Sequence, residues 1–327
     1  MVFAYHAFNA RLGWAGVDLF FVLSGYLITG ILLRMKQNQT SEGYFTPFYF
    51  RRVLRIAPPY LGFLVIVSVL YPIPWHRIWY WYAFFGANLA SALGKCPVHA
   101  MTPLWSLAVE EQFYFIWPLI VLLVSRKALK RVALGLMVGA PLLRAALTPE
   151  IAQPFIYCLT PCRADSLACG ALVAIYALED AEWAERWRSF ARATAFGAVT
   201  LMLGLSYFHS FRHTSDTELF NILGYSLLVV IFGATLVWTL AMKAGLAFRF
   251  LVSRPLRYMG QISYTFYLYH VAFIDKFAQH FRSRAEVGVL AFMVTALFSS
   301  SSWHFLESRI LKLRPKPQPQ TLRTGLA

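Results

Sequence analysis

Apolar runs follow one another with little interruption from residue 15 to residue 305, and that pattern ties the chain to a lipid bilayer. A helix needs about 20 mostly apolar residues to cross roughly 30 Å of hydrocarbon. Runs of this kind lie at 15–34, 56–75, 78–92, 105–124, 132–147, 163–178, 193–209, 219–242, 258–280 and 286–305, and residues 1–8 read as the end of one more. Hydrophobic residues make up 58% of the chain and charged ones 14%, and no stretch reads as a separate soluble domain. The expected fold is all-α: a polytopic integral membrane protein with about ten transmembrane helices, the first truncated. One domain covers 1–305, and a basic, Pro-rich cytoplasmic tail covers 306–327.

The net charge of +15 sits in short loops and the tail, where the positive-inside rule explains it without nucleic acid. Arg34, Lys36, Arg51, Arg52 and Arg55 form one cytoplasmic loop; Arg126, Lys127, Lys130 and Arg131 form the next. An even number of crossings must separate them, yet three apolar segments do. The shortest, 78–92, carries Asn88 and follows Pro72 and Pro74, so it is expected to be re-entrant or interfacial, backed by protein. His6, Asp18, Glu110 and His270 then fall in the outer halves of their spans, while Lys95 and Arg212 lie outside.

A carboxylate at the centre of a span costs roughly 2.5 to 3.5 kcal/mol on insertion scales, which makes Asp18 a candidate for function. His6, twelve residues earlier, is its expected partner: a carboxylate on one ring nitrogen fixes the tautomer and leaves the other free to take a proton. Gly25 and Thr29 share the Asp18 stripe, and for Ser24 and Gly25 close helix packing is the competing account. Downstream of Trp105, Glu110 and Tyr114 share a face while Glu111 points elsewhere; one of the two acids is expected to partner a buried arginine such as Arg163, with exposure at the interface near Trp105 as the competing account for both. Ser263, Tyr267 and His270 form a polar stripe in another span and are expected to line a cavity. His76, His99, His209, His213, His280 and His304 lie at loops or span ends, where exposure to water accounts for them. Arg51, Arg52 and Arg55 stand tight against Pro58-Pro59, and their guanidinium forks suit the phosphates of a cytosolic nucleotide-like ligand.

The four cysteines, Cys96, Cys158, Cys162 and Cys169, lack zinc-ligand spacing, so no metal site is expected. They read as small apolar filler, with a disulfide using Cys96 on the oxidising face as the alternative.

Four segments taken together, Gly16-Val17-Asp18 running to Thr29, Arg51-Arg52 to Tyr60, Trp105 to Tyr114, and Ile262 to His270, resemble the membrane-bound acyltransferase family 3, O-acetyltransferases that modify cell-surface sugars and related molecules. Arg163 to Leu167 with Gly170, and Glu307, also look like family positions. The resemblance implies an acyl group, usually acetyl, carried from cytoplasmic acyl-CoA to a hydroxyl of a carbohydrate or glycolipid acceptor at the outer face of a bacterial inner membrane. It needs no bound cofactor. His6 matches the family's histidine, Asp18 its acid, and Arg51 and Arg52 its basic pair. The resemblance also places a basic residue eleven positions before that histidine, so the reading frame is expected to continue upstream of Met1.

The expected chemistry has His6, oriented by Asp18, acting as general base on the acceptor hydroxyl, or taking the acyl group itself and passing it on. A proton- or ion-coupled transporter or flippase is the rival and would call for inverted repeats, which are not found. An inactive family member serving as a scaffold is a third reading.

Overall fold

The computed structural model describes residues 1–38, 42–148, 150–151, 153–205 and 219–313. His209, Arg212, His213 and residues 314–327 of the tail lie outside them. Every element among the described residues is helical. The chain opens with α1 (Val2–Phe8), then α2 (Gly16–Asn38), α3 (Glu42–Leu70), α4 (Trp75–Ala83), α5 (Ala87–Ala92), α6 (Leu104–Leu123) and α7 (Arg126–Leu147). It continues through α8 (Gln153–Cys158), α9 (Thr160–Glu179), α10 (Trp183–Leu205), α11 (Tyr225–Leu240), α12 (Leu246–Leu251), α13 (Arg254–Ala278) and α14 (Arg284–Ser302).

Among the described residues, six helical stretches, 13–37, 43–70, 99–123, 154–179, 220–240 and 284–313, are long and apolar enough to cross a bilayer. Leu61, Val65, Val69, Phe115 and Leu123 are each more than half exposed on such helices, an outward apolar surface that lipid would cover. This is an integral membrane protein. The helices α7, α10 and α13 have the length of a span at 22, 23 and 25 residues but carry charge. Six stretches therefore meet both criteria where the sequence suggested about ten.

Segment 78–92 does not form one helix. It is divided between α4 and α5 at Phe84–Gly86, where Phe85 takes a left-handed φ of 51°. Nine residues reach only about 13 Å and six about 9 Å, too little to cross. Asn88 anchors this break: its side-chain amide donates to the Cys158 carbonyl (3.3 Å) and to Thr160 Oγ1 (3.2 Å) and accepts from Gln112 Nε2 (3.0 Å). Gln112 Nε2 also donates to the Phe85 carbonyl at 2.9 Å, so protein satisfies the non-helical backbone here, as irregular backbone at depth requires.

The helices α2 and α9 form the tightest crossing. A Cβ on Gly25 would lie 1.9 Å from the Leu167 carbonyl oxygen, and one on Gly170 1.9 Å from that of Val22. Each helix presents its glycine to the other's backbone, the small-residue solution for packing in lipid. Around this pair gather α7, α10 and α11; α13, α14, α1 and α3 form a second group, and α6 touches α2 and α9. At one end of the bundle Lys36 Nζ donates to the carbonyls of Val121 and Val124, both at 2.8 Å, capping α6 where its dipole favours a cation. Lys130 meets Glu179 at the same end. The opposite end holds His6, His99 and His270.

Candidate active site

The short helix α1 ends at Asn9 in the left-handed conformation and turns back into a 3-10 turn at Gly13–Ala15. A Cβ on Gly13 would fall 2.6 Å from the Met1 carbonyl oxygen, so the turn folds hard against α1 and fixes where His6 points. His6 lines a cavity of about 420 Å³ whose walls include His99, Trp105, Tyr157, Cys158 and Tyr267. Its ring centroid is 5.2 Å from that of His270 and 5.9 Å from that of His99. Three imidazoles from α1, α13 and the turn before α6 therefore meet in one place.

Their partners differ. His270 is buried, and its Nδ1–H donates to the Tyr267 carbonyl at 2.6 Å, which leaves Nε2 as an acceptor without a hydrogen bond among the described residues. His99 Nδ1–H donates to Asp275 Oδ1 at 2.9 Å, and its side chain is 60% exposed. Beneath them Tyr267 shares a 2.6 Å hydrogen bond with Ser106 Oγ. A smaller cavity of about 160 Å³ shares Val2, Val17 and Tyr267 with the first and continues along α13 to Tyr264 and Ser263. Of the stripe expected to line a cavity, Ser263 and Tyr267 do so, while His270 is buried and adjoins the space only through His6. The reading of His99 as a residue explained by exposure alone needs correction, because a carboxylate from α13 holds it in the cavity wall.

Asp18 does not orient His6. It is fully buried, and its carboxylate receives hydrogen bonds from the Arg163 guanidinium and from Ser166 Oγ (3.1 Å), both on α9. Arg163 lies 4.2 Å from the centre of the Tyr225 ring, which Arg144 also approaches, at 5.5 Å. Arg144 is equally buried and donates to Asp165 Oδ2 (2.8 Å), the Asn221 carbonyl (2.7 Å), the Cys162 carbonyl (2.5 Å) and Ser226 Oγ (3.1 Å). Two buried arginine–aspartate pairs thus tie α2, α7, α9 and α11 together. Arg163 had been expected to serve Glu110 or Glu111; proximity to Asp18 across the glycine crossing decides otherwise. Arg144 was overlooked, though an arginine inside an apolar run was its signal.

Glu110, 2% exposed, accepts from Ser24 Oγ and from Tyr114 OH at 3.1 Å, so it is no interfacial group. Ser24 thereby binds a carboxylate, whereas Gly25 acts in packing and Thr29 accepts from Trp117 Nε1 at 2.8 Å. Below Glu110, the Arg52 guanidinium lies 4.7 Å from the centre of the Tyr114 ring. Ser106, Glu110 and Tyr114, four residues apart on one face of α6, thus form a polar column from the histidine cavity toward Arg52. Glu111 turns away into a separate cavity of about 540 Å³, shared with Arg52 and Gln112.

The arginines of α3 do not converge on one ligand position. While Arg52 faces α6, Arg55 pairs with buried Glu307 at 3.3 Å, donates to the Gln261 carbonyl at 2.9 Å and lies over Trp303. Arg55 lines a cavity of about 520 Å³ with Arg257 and Lys312. Arg51 lines neither of these spaces. All four cysteines are free thiols, so the alternative of an outer disulfide through Cys96 is not met.

The chain is 29% identical to the peptidoglycan O-acetyltransferase OatA of Listeria monocytogenes, over 95% of its own length and 54% of the relative's. It is 30% identical to a protein named putative peptidoglycan O-acetyltransferase YrhL of Bacillus subtilis, over 94% and 52%. It is 26% identical to the O-acetyltransferase OatA of Staphylococcus aureus, over 96% and 56%. The chain spans about half the length of these relatives. No solved structure matches it. The family model described as an acyltransferase domain matches residues 1–303, and the chain belongs to that acyltransferase family.

Proposed function

We propose that the chain is a membrane O-acetyltransferase that draws an acetyl group from acetyl-CoA on the side of the Arg52 and Arg55 cavities and delivers it to a carbohydrate hydroxyl at the His6 cavity. The observation that carries this reading is the polar column of α6, which runs from a histidine-lined cavity at one end of the bundle to Arg52 deeper in it. Guanidinium groups suit the phosphates of the donor, and His6 is the group at which the acyl carbon changes partner. Since the relatives are named for peptidoglycan, a glycan hydroxyl of the cell wall is the acceptor class to try, which fits a bacterial cytoplasmic membrane with the histidine cavity facing outward.

Asp18, Arg163, Arg144 and Asp165 have a supporting part in this reading: they fix the α2–α9 frame from which the column is built. Glu307 and Thr265, joined at 2.7 Å, hold Arg55. No observation favours the transporter or scaffold readings. The test is direct: the protein in lipid nanodiscs is given acetyl-CoA and a soluble peptidoglycan fragment, and products are read by mass spectrometry. An acetyl ester that depends on His6 is expected. Absence of ester from the folded protein at saturating acetyl-CoA would overturn the donor assignment.

A further inference from the structure

The cavity contains an imidazole paired with a carboxylate, and it is not His6. His99 Nδ1 is taken by Asp275 at 2.9 Å, so the free nitrogen of that ring is Nε2. The ring lines the His6 cavity at its exposed edge, 5.9 Å from the His6 ring, close enough for one acceptor oxygen to touch both. His6 itself has ring contacts with Tyr5, His99 and His270 and no hydrogen-bonded carboxylate among the described residues. A base needs a fixed tautomer and an open nitrogen within reach of the incoming hydroxyl. His99 has both.

We infer that His99, positioned by Asp275, is the general base for the acceptor, while His6 carries the acyl group. The inference rests on the acetyltransferase reading above. In the first step a His6 nitrogen bonds to the thioester carbon, the carbon–sulfur bond breaks, and sulfur leaves as the thiolate of CoA, which takes up the proton that the imidazole releases. In the second, the acceptor oxygen bonds to the acyl carbon as its proton passes to His99 Nε2. The bond from that carbon to His6 breaks, with its electron pair returning to the ring nitrogen. His99 then passes that proton, through water at the mouth of the cavity where its exposure allows exchange, to the His6 nitrogen, which replaces the proton lost to CoA and leaves both imidazoles neutral. Asp275 touches no reacting atom; it is a positioning residue that holds the Nδ1–H tautomer and stabilises the imidazolium.

Hydroxylamine separates this role from a structural one, because its neutral nitrogen attacks acyl groups without a base, whereas a sugar hydroxyl needs one. The protein in nanodiscs receives acetyl-CoA with either a soluble peptidoglycan fragment or hydroxylamine. For His99→Gln, transfer to the fragment should fall roughly 10² to 10⁴-fold, the usual worth of a general base, while acetohydroxamate forms within about threefold of the wild-type rate. Asp275→Asn should show the same split at smaller amplitude, and His6→Ala should lose both products. Parallel loss of both products in His99→Gln would show a role in cavity shape and overturn the inference. So would undiminished transfer to the fragment. If the wild-type protein yields neither product from acetyl-CoA, the acetyltransferase reading falls and this inference with it.

Discussion

The histidine cavity and the arginine–aspartate core lie a few turns apart, yet they treat titratable groups in opposite ways. In the core, Asp18, Arg144, Arg163 and Asp165 are between 0% and 2% exposed, and each charge is matched by an opposite charge or an aromatic face. At the cavity three imidazoles lie beside one another, with His6 and His99 facing open space, His270 buried behind His6 and one carboxylate at the rim. A buried charge with a partner is a structural commitment, since removing one member strands the other in a medium that cannot solvate it. A neutral ring next to open space can exchange a proton at each turnover. Asp18, the costliest residue to place in a membrane, is therefore part of the frame, and the working groups are the less conspicuous histidines.

Breaking the core should have the largest effect on stability. Asp18→Ala leaves Arg163 without its counter-charge and is expected to cost about 3 to 5 kcal/mol, seen as a large drop in thermal unfolding temperature in detergent. Replacing both residues, Asp18→Ala with Arg163→Met, should recover much of the loss. His6→Ala, by contrast, should unfold near the wild-type temperature. Wild-type stability in Asp18→Ala, with transfer abolished, would move Asp18 from the frame to the chemistry.

Next comes the crossing that positions the core. Gly170→Ala places a methyl group where the Val22 carbonyl already is, and about 1 to 3 kcal/mol of overpacking is expected. The same unfolding assay reads it, and Gly139→Ala, at a position with nothing within 4 Å of the added Cβ, serves as the control that should change little. Equal behaviour of the two variants would mean that α2 and α9 are further apart than described.

The arginines sharpen the comparison from the donor side. Arg52→Ala should raise KM for acetyl-CoA about tenfold, as for loss of a charge-assisted contact worth ~1.5 kcal/mol, with little change in unfolding temperature. Arg55→Ala should also lower stability, because it releases buried Glu307. Lysine at position 52 should recover only part of the affinity; full recovery would reduce Arg52 to a topology signal.

The smallest effect concerns access to the cavity. Cys96 lines the wall and is half-buried, while Cys158, Cys162 and Cys169 are buried. Burial raises the Cys96 thiol above its ordinary pKa, so less thiolate is present at neutral pH and the rate with a membrane-impermeant maleimide should rise as pH increases. Faster labelling of Cys158 than of Cys96 would contradict the cavity wall as described.

Much of the fold was legible because its signals are local. Apolar run length gave the helices, and Asn88 with the preceding prolines marked the segment that fails to form a span. Gly25 could be read as a packing residue for the same reason. The pairings were not legible: Asp18 and Arg163 are separated by 145 positions and His99 and Asp275 by 176, and neither spacing leaves a trace in local pattern. His6 and Asp18 were joined because they are near in sequence, but the turn at Gly13 sends one to the cavity and the other into the α2–α9 interface. The three arginines of α3 were read as a single clamp for a related reason: adjacent residues on a helix diverge in direction, so Arg52 and Arg55 face different cavities.

The most direct test uses proteoliposomes of uniform orientation, with labelled acetyl-CoA confined to the face that carries the basic loops and a peptidoglycan fragment confined to the other. Labelled ester should appear across the membrane with the wild-type protein and be lost with His6→Ala inserted at equal amount. Ester formed by His6→Ala at the wild-type rate would contradict the assignment of the histidine cavity as the site of transfer.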